Sequence, residues 1–287
     1  MKRQAALVGI VFGAAVLLGF VTQRLVPQSL AKQSLQVRVN RWLEVRQITN
    51  DVTFERGAMR RAAVVGDRLQ AVGDRLITGR NSAATLFVDT GVGVVEMAEK
   101  TTLRVRRLDV AADNGRITRL EVLIGNVRLR VRPFTHKGSQ LEIQTPVGVS
   151  GVRGTKFGVA VQPNGKTGLA VLEGRVVSAA QNQAVRVAQG LQNFTMPREA
   201  PSTPVKLKDD TSLRYDFELI VERGVRLARL RGQVDPVNNV TVDGVPQVTD
   251  RQGVFQSNLR SMPSYLRMQV IVTTPLGKTK TYALALQ

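Results

Sequence analysis

The stretch ITRLEVLIGNVRLRVR, Ile117 to Arg132, alternates apolar and polar side chains on both sides of a single glycine. Such alternation places successive side chains on opposite faces of a β-strand. The sequence therefore predicts two strands, ITRLEVLI (117–124) and NVRLRVR (126–132), with Gly125 in a turn between them. Each strand would direct one apolar face to a core and one charged face to solvent.

The same alternation continues along both flanks of this stretch, in short runs separated by Gly, Asn or Asp. The runs are ATLFV (84–88), VGVVEM (92–97), TLRVRRL (102–108), SQLEIQT (139–145), FGVAVQ (157–162), TGLAVLE (167–173), RVVSA (175–179) and AVRVA (184–188). No convincing long amphipathic helix interrupts them, so the crossover helices of a parallel α/β sheet are missing. An all-β domain spanning residues 42–196 is predicted, as a solenoid, a barrel or a sandwich.

A second region follows a proline-rich boundary. Residues 197–212 carry Pro197, Pro201 and Pro204 among polar side chains, a composition typical of a stiff, extended linker. Residues 213–287 contain about six short apolar runs with evenly spaced turn signals. This spacing predicts a small β-sandwich, which we interpret as an immunoglobulin-like module.

The amino terminus predicts export. MKRQ precedes an uncharged run of 17 residues, Ala5 to Val21, which is typical of the hydrophobic helix of a signal peptide or signal anchor within residues 1–31. Cleavage and retention both remain open, and retention would make the protein membrane-associated. We expect a periplasmic or cell-envelope location. The chain has no cysteine, so neither a disulfide nor a lipid-modified cysteine is available.

The charge balance favours an anionic partner. Lys and Arg total 41 against 22 Asp and Glu, giving a formal net charge of +19. Arg128, Arg130 and Arg132 alternate with apolar residues, so one strand face would carry three guanidinium groups that either grip an anion or are simply solvated. We predict no nucleic-acid partner, because the chain is exported and this strand lacks the aromatic side chains on which bases stack.

Candidate catalytic and metal sites are weak. Asp89 lies in FVDTGVG, which contains the Asp-Thr-Gly triplet of aspartic peptidases, but that mechanism needs a second aspartate and a flap, and Val92 follows the triplet instead of a small hydroxyl residue or alanine. His136 is the one histidine, and Asp209 and Asp210 lack further nearby carboxylates. The sequence therefore predicts no enzyme activity, no cofactor and no metal, with a hydrolase acting through Asp89 as a hypothesis to test.

The glycine-rich segment TPVGVSGVRGTKFGV, Thr145 to Val159, does not match a phosphate-binding loop. We interpret it as framework, with Pro146 ending a strand and Gly148, Gly151 and Gly154 allowing turns or close backbone approach. Arg153 could pair with Glu173 between strand layers, or could contact a ligand or partner.

An ordered set of motifs points to a known family. The motifs are GDRLITGRNSAATLFVDTG, TTLRV, LEVLIGNVRLRV, TPVGVSGVRGTKFGV and GLAVLEGRV. In this order they resemble the FecR domain, and the resemblance runs from about Leu43 to Met196. It implies an all-β, noncatalytic envelope domain that, in regulatory members, relays a signal from an outer-membrane TonB-dependent receptor to a cytoplasmic sigma factor.

Two departures from those regulators shape the functional prediction. Only Met1 to Gln4 precede the hydrophobic segment, so we expect no anti-sigma region of its own, and the C-terminal region differs from a receptor-contacting end. The prediction is a nonenzymatic exported protein that binds an envelope protein as a sensor or scaffold. The alternative is a structural module that binds peptidoglycan or another anionic cell-wall polymer. The oligomeric state is left open.

Overall fold

The computed structural model describes residues 41–89, 91–152, 154–262 and 265–286. These residues fall within one compact unit of the chain. They form strands, turns and irregular segments, and they contain no helix long and apolar enough to cross a membrane. The predicted N-terminal hydrophobic helix, with its signal or anchor role, lies outside the described residues.

The first module has seventeen strands among its described residues. They are β1 Leu43–Thr49, β2 Val52–Arg56, β3 Met59–Ala62, β4 Arg68–Leu69, β5 Arg75–Thr78, β6 Ala83–Val88, β7 Gly93–Met97, β8 Thr102–Val110, β9 Arg116–Val131, β10 Gln140–Thr145, β11 Gly148–Val152, β12 Lys156–Val161, β13 Thr167–Glu173, β14 Arg175–Ala180, β15 Gln183–Ala188, β16 Leu191–Thr195 and β17 Val205–Lys206.

These strands form two sheets that share β9. Sheet 1 has the order β4, β1, β6, β7, β9, β12, β13, β16, β17. Sheet 2 has the order β3, β2, β5, β8, β9, β10, β11, β14, β15. A single hydrophobic cluster contains side chains from both sheets, including Leu86 and Leu129 from sheet 1 and Leu103 and Leu120 from sheet 2. The module is therefore all-β, as predicted, with two sheets packed around one core.

The opening stretch corrects one expectation. Gly125 is not a turn between two strands, because β9 runs unbroken through it from sheet 2 into sheet 1. Gly125 has a φ of 103°, and a Cβ there would lie 2.5 Å from Thr101 Cα. Only glycine allows both this conformation and this approach, so the strand can bend between the sheets without ending.

The second module has eight strands among its described residues. They are β18 Arg214–Glu222, β19 Val225–Gln233, β20 Asn239–Val242, β21 Val245–Pro246, β22 Val254–Gln256, β23 Arg260–Ser261, β24 Leu266–Thr273 and β25 Thr279–Leu286. Sheet 3 contains β18, β19, β22 and β23, and sheet 4 contains β21, β20, β24 and β25. One core cluster joins both, so the predicted small β-sandwich is confirmed. Its immunoglobulin-like character stays a prediction.

The proline-rich segment does not stand free of the first module. Within residues 197–212, β17 pairs with β16 at the edge of sheet 1, and Pro201 forms a bridge with Thr195. The Asn238 amide of the second module donates to the Asp210 carbonyl at 2.7 Å. The segment is thus anchored at both ends.

Candidate anion-binding groove

The predicted arginine ladder lies on the outer face of sheet 1. Val127, Leu129 and Val131 are buried in the core, and Arg128 and Arg130 point outward between them, as the alternation predicted. Arg128 and Arg130 both form ion pairs with Glu96, which lies directly opposite Arg128 on β7. This cross-strand carboxylate leaves less positive charge for an external anion than the sequence suggested.

The other two predicted contact residues have different outcomes. Arg132 forms no ion pair with a described carboxylate and lines a cavity of about 250 Å³ with Arg116 and His136. Arg153 lies outside the described residues. Its predicted partner Glu173 accepts a hydrogen bond from Lys156 Nζ at 2.6 Å. A binding role for these arginines stays a prediction.

The glycine-rich segment crosses from sheet 2 to sheet 1, and the space around its glycines differs from one position to the next. A Cβ at Gly148 would lie 2.5 Å from the Ala179 carbonyl oxygen, and Gly154 has a φ of 65° against Pro133. The framework interpretation therefore holds for these two positions. For Gly151 it is wrong, because a Cβ there would meet nothing within 4 Å.

Gly151 instead forms the floor of a groove on the outer face of sheet 2. The strand register places Arg119, Glu142, Gly151, Val177 and Arg186 in one row across β9, β10, β11, β14 and β15. Residues in register across a sheet project from the same face, and neighbouring strands lie about 4.8 Å apart, so Glu142 and Arg186 stand about 14 Å apart. The absent side chain at position 151 keeps the space between them open.

The groove is basic with an apolar floor. It has a volume of about 530 Å³, and Arg175, Arg186 and Lys137 are among its lining residues. Arg175 and Arg186 form no ion pair with a described carboxylate. Glu142 is paired with Arg119, and the Val177 side chain is 39% exposed. The arrangement places two guanidinium groups without a described ion-pair partner beside an apolar surface, and guanidinium groups form strong, often bidentate hydrogen bonds with carboxylates.

Sequence reasoning missed Arg175 and Arg186. Both lie on runs that were recognised as strands, but on neighbouring strands of a hairpin rather than at i and i+2 of one strand. The signal available was the turn Gln181–Asn182, which fixes that hairpin. Without the register, it does not show that the two arginines flank Gly151.

Asp89, the residue of the peptidase hypothesis, is buried in an ion-pair network. Its Oδ2 lies 2.7 Å from Arg41 Nη2 and 3.2 Å from Arg116 Nη1, and its Oδ1 accepts from Trp42 N at 3.4 Å. The peptidase mechanism needs a second carboxylate that shares a proton with the first. Here two guanidinium groups contact the carboxylate, which fits a structural role.

The remaining candidate residues, His136, Asp209 and Asp210, form hydrogen bonds with other residues of the protein. Thr135 Oγ1 lies 3.1 Å from His136 Nδ1. Asp209 accepts from Thr274 Oγ1 at 2.6 Å, and Asp210 accepts from Ser212. The described residues contain no group of three or more His, Cys, Asp or Glu that could hold a metal ion.

Lys166 is a second residue that sequence reasoning missed. It belongs to the predicted hairpin turn at 163–166, yet its side chain is fully buried between the two modules. Its Nζ donates to Thr249 Oγ1 at 2.7 Å and to the Asp250 carbonyl at 2.5 Å. The side chain of Gln162, immediately before this turn, donates to the Asn238 carbonyl at 3.0 Å. The turn therefore contacts the second module, through residues that are distant from it in sequence.

Burial lowers the pKa of Lys166 from 10.5 to about 8, against the opposing attraction of Asp250 and Asp235. Between these values the unfolded chain binds more protons than the folded one, so the free energy of unfolding should rise as pH increases from 8 to 10.5. We expect a rise of about 3 kcal/mol from this group. Urea unfolding across this range should show it in the natural protein and not in Lys166→Met, and parallel curves would contradict it.

The family comparison concerns the first module. Residues 74–177 match the family model described as FecR protein. These residues form a FecR domain. The matched part of the FecR domain contains the floor of the groove and Arg175, and it excludes Arg186. A FecR domain indicates a sensory or regulatory role.

Two solved structures resemble part of the chain only distantly. Two crystal structures, at 2.50 Å and 1.65 Å resolution, are of a protein from Parabacteroides distasonis ATCC 8503 that is named provisionally as an anti-sigma factor. Each is 17% identical, with a TM-score of 0.39, and each match covers 49% of this chain and 66% of that chain. None of the curated proteins matches the chain.

Proposed function

We propose that this protein is a nonenzymatic cell-envelope protein whose FecR domain acts as a sensor or scaffold by binding another envelope protein. The observation that carries the proposal is the groove over Gly151, with Arg175 and Arg186 uncompensated beside exposed Val177. Arginine is enriched among the residues that dominate binding energy at protein interfaces. The site binds without chemistry of its own.

The occupant that fits is an extended acidic segment of a partner protein. Its carboxylates would pair with the two arginines, and its apolar side chains would cover Val177. On the other side of the groove, Arg119 and Glu142 form an ion pair that provides a polar rim. A cell-wall polymer is the alternative, because anionic glycan would also be attracted to the arginines.

Site-specific photocrosslinking in the native host distinguishes these occupants. A photoreactive residue at Val177 of the full-length protein should capture one consistent envelope protein, whereas the same residue at Val205, exposed on β17, should not. Arg186→Glu should lower the yield at Val177 by about tenfold, because it puts a negative charge against the acidic segment. Lys206→Glu, the matched charge control on sheet 1, should leave the yield unchanged.

Two outcomes would overturn the proposal. Muropeptides or polysaccharide recovered at Val177 without a consistent protein would establish the wall-binding alternative. Equal protein yields at Val177 and Val205 would show that the groove is not the binding surface.

A further inference from the structure

The β18 strand is an unpaired sheet edge among the described strands. It runs nine residues, Arg214–Glu222, and pairs with β19 along its whole length without a register shift. None of the other described strands pairs with its second edge. Natural proteins usually block such edges with charged side chains, proline, bulges or short strands, and β18 carries charged side chains but no proline and no bulge.

The hairpin geometry shows which backbone groups face the free edge. β18 and β19 are joined by the two-residue turn Arg223–Gly224, with φ values of 50° and 79°. The residues that flank a two-residue turn, Glu222 and Val225, form a hydrogen-bonded pair. Even-numbered residues of β18 therefore bond to β19, and odd-numbered residues direct N–H and C=O groups outward.

One contact supports this assignment independently. Phe217 N donates to its neighbour's carboxylate, Asp216 Oδ1, at 2.8 Å. An N–H that faced β19 would already be used in the ladder. The outward backbone groups are therefore those of Tyr215, Phe217, Leu219 and Val221.

The same four side chains form an apolar face that is only partly covered. Phe217 packs against the core of the second module. Tyr215, Leu219 and Val221 lie on the same face, because strand side chains alternate, and they are 51%, 58% and 72% exposed. The edge thus combines free hydrogen-bonding groups with exposed apolar area.

The sequence of β18 complements itself. If two copies pair antiparallel about Glu218, all nine residues overlap, and Arg214 of each copy faces Glu222 of the other. Tyr215 then faces Val221, and Phe217 faces Leu219, so the apolar faces join. The two Glu218 side chains meet at the centre, where each is held by Arg229 at 2.7 and 3.0 Å.

Neighbouring registers fit less well. Outward backbone groups must face each other, so even and odd positions cannot be mixed. Pairing about Phe217 sets Asp216 against Glu218, and pairing about Leu219 sets Asp216 against Glu222. Like charges directly opposite each other are destabilising. The register about Glu218 avoids these two pairs, and its one like-charge pair, Glu218 with Glu218, consists of carboxylates that each accept hydrogen bonds from Arg229.

We propose that two copies of this chain associate by antiparallel pairing of their β18 strands about Glu218, which joins the two copies of sheet 3 into one continuous sheet. The Phe217 N–H exchanges the Asp216 carboxylate for the Leu219 carbonyl of the second copy. This association uses the second module, so the groove on the first module stays open in the dimer.

Cysteine crosslinking tests the register in the full-length chain, which has no native cysteine. Residues that face each other in a non-hydrogen-bonded pair have Cα atoms about 4.5 Å apart. A disulfide needs a Cα separation of about 4.4–6.8 Å. Glu218→Cys should therefore form a disulfide-linked homodimer in membranes treated with a mild thiol oxidant.

Glu222→Cys is the matched control. The two copies of position 222 lie eight residue steps apart along the paired strands, about 27 Å. We expect at least tenfold more disulfide dimer from Glu218→Cys than from Glu222→Cys. Adding Leu219→Pro to Glu218→Cys should abolish the dimer, because proline removes an outward N–H while the β19 ladder stays intact.

The crosslinks can also overturn the proposal. A Glu218→Cys protein that stays monomeric under oxidant would exclude self-pairing at this edge. Equal dimer yields at positions 218 and 222 would exclude the register. Both variants keep Gly151, Val177 and Arg186. Partner capture at the groove can therefore be measured independently of dimer formation at β18.

Discussion

Replacing Gly158 by valine is expected to lower the free energy of unfolding by about 3 kcal/mol, a shift of roughly 10 °C in Tm. A Cβ at this position would lie 1.9 Å from the Pro275 carbonyl oxygen and 2.4 Å from its carbonyl carbon. Both are backbone atoms, so no side-chain rotation can relieve the clash. Either β12 or the β24–β25 turn must move, and the two modules must separate there.

The control for this variant is Gly151→Val, because a Cβ at Gly151 meets no atom within 4 Å. Thermal unfolding of both proteins, together with limited proteolysis of residues 197–212, measures the difference. Gly158→Val should unfold earlier and be cleaved faster in that segment. Equal Tm values for the two variants would mean that the modules do not pack as described.

The close approach at Gly158 belongs to a broader contact between the modules. A Cβ at Gly168 would lie 2.1 Å from the Val237 carbonyl oxygen. Asn126 Nδ2 donates to the Thr274 carbonyl at 2.9 Å, and the side chain of Asn126 is buried. Because the two modules are in close contact, a partner that binds one module would also affect the other.

Asp89→Asn is expected to lower the free energy of unfolding by about 3–5 kcal/mol, because removing one partner of a buried ion pair leaves the other charge uncompensated. The side chains of Arg41 and Asp89 are 2% and 4% exposed. Asp89 has a φ of 49°, which asparagine also tolerates, so the substitution tests the charge and not the backbone.

Asp109→Asn is the matched control, since Asp109 forms an ion pair with Arg107 and its side chain is 53% exposed. Exposed pairs contribute about 0–1 kcal/mol, so its Tm should barely change. Denaturant unfolding of both variants provides the measurement. A small effect at Asp89, or loss of a measurable peptidase activity there, would contradict the structural role.

The sequence predicted the class of fold because local alternation reports directly on strands. It could not predict how the strands pair. The alternation around Gly125 is the same for two strands in a hairpin and for one strand that bends between sheets, and only the pairing of β9 with strands of both sheets distinguishes them. The choice among a solenoid, a barrel and a sandwich likewise depends on long-range pairing.

The candidate site shows the same division. Charge alternation identified Arg128 and Arg130, but their compensation by Glu96 depends on the register between β7 and β9. The glycine motif was identified from sequence, yet the open space over Gly151 appears only when β14 and β15 are placed beside it. Burial of Lys166 depends on a second module that contributes no local signal to its turn.

The measurement that tests the binding account most directly is partner capture by full-length Gly151→Val, with Tm recorded on the same preparation. A side chain at this position fills the groove floor, and glycine within a strand costs about 0.5–1 kcal/mol relative to alanine, so stability should be unchanged or slightly raised. The account predicts that capture at Val177 is lost while Tm is retained. A variant that is equally stable and captures the partner as well as the natural protein would contradict it.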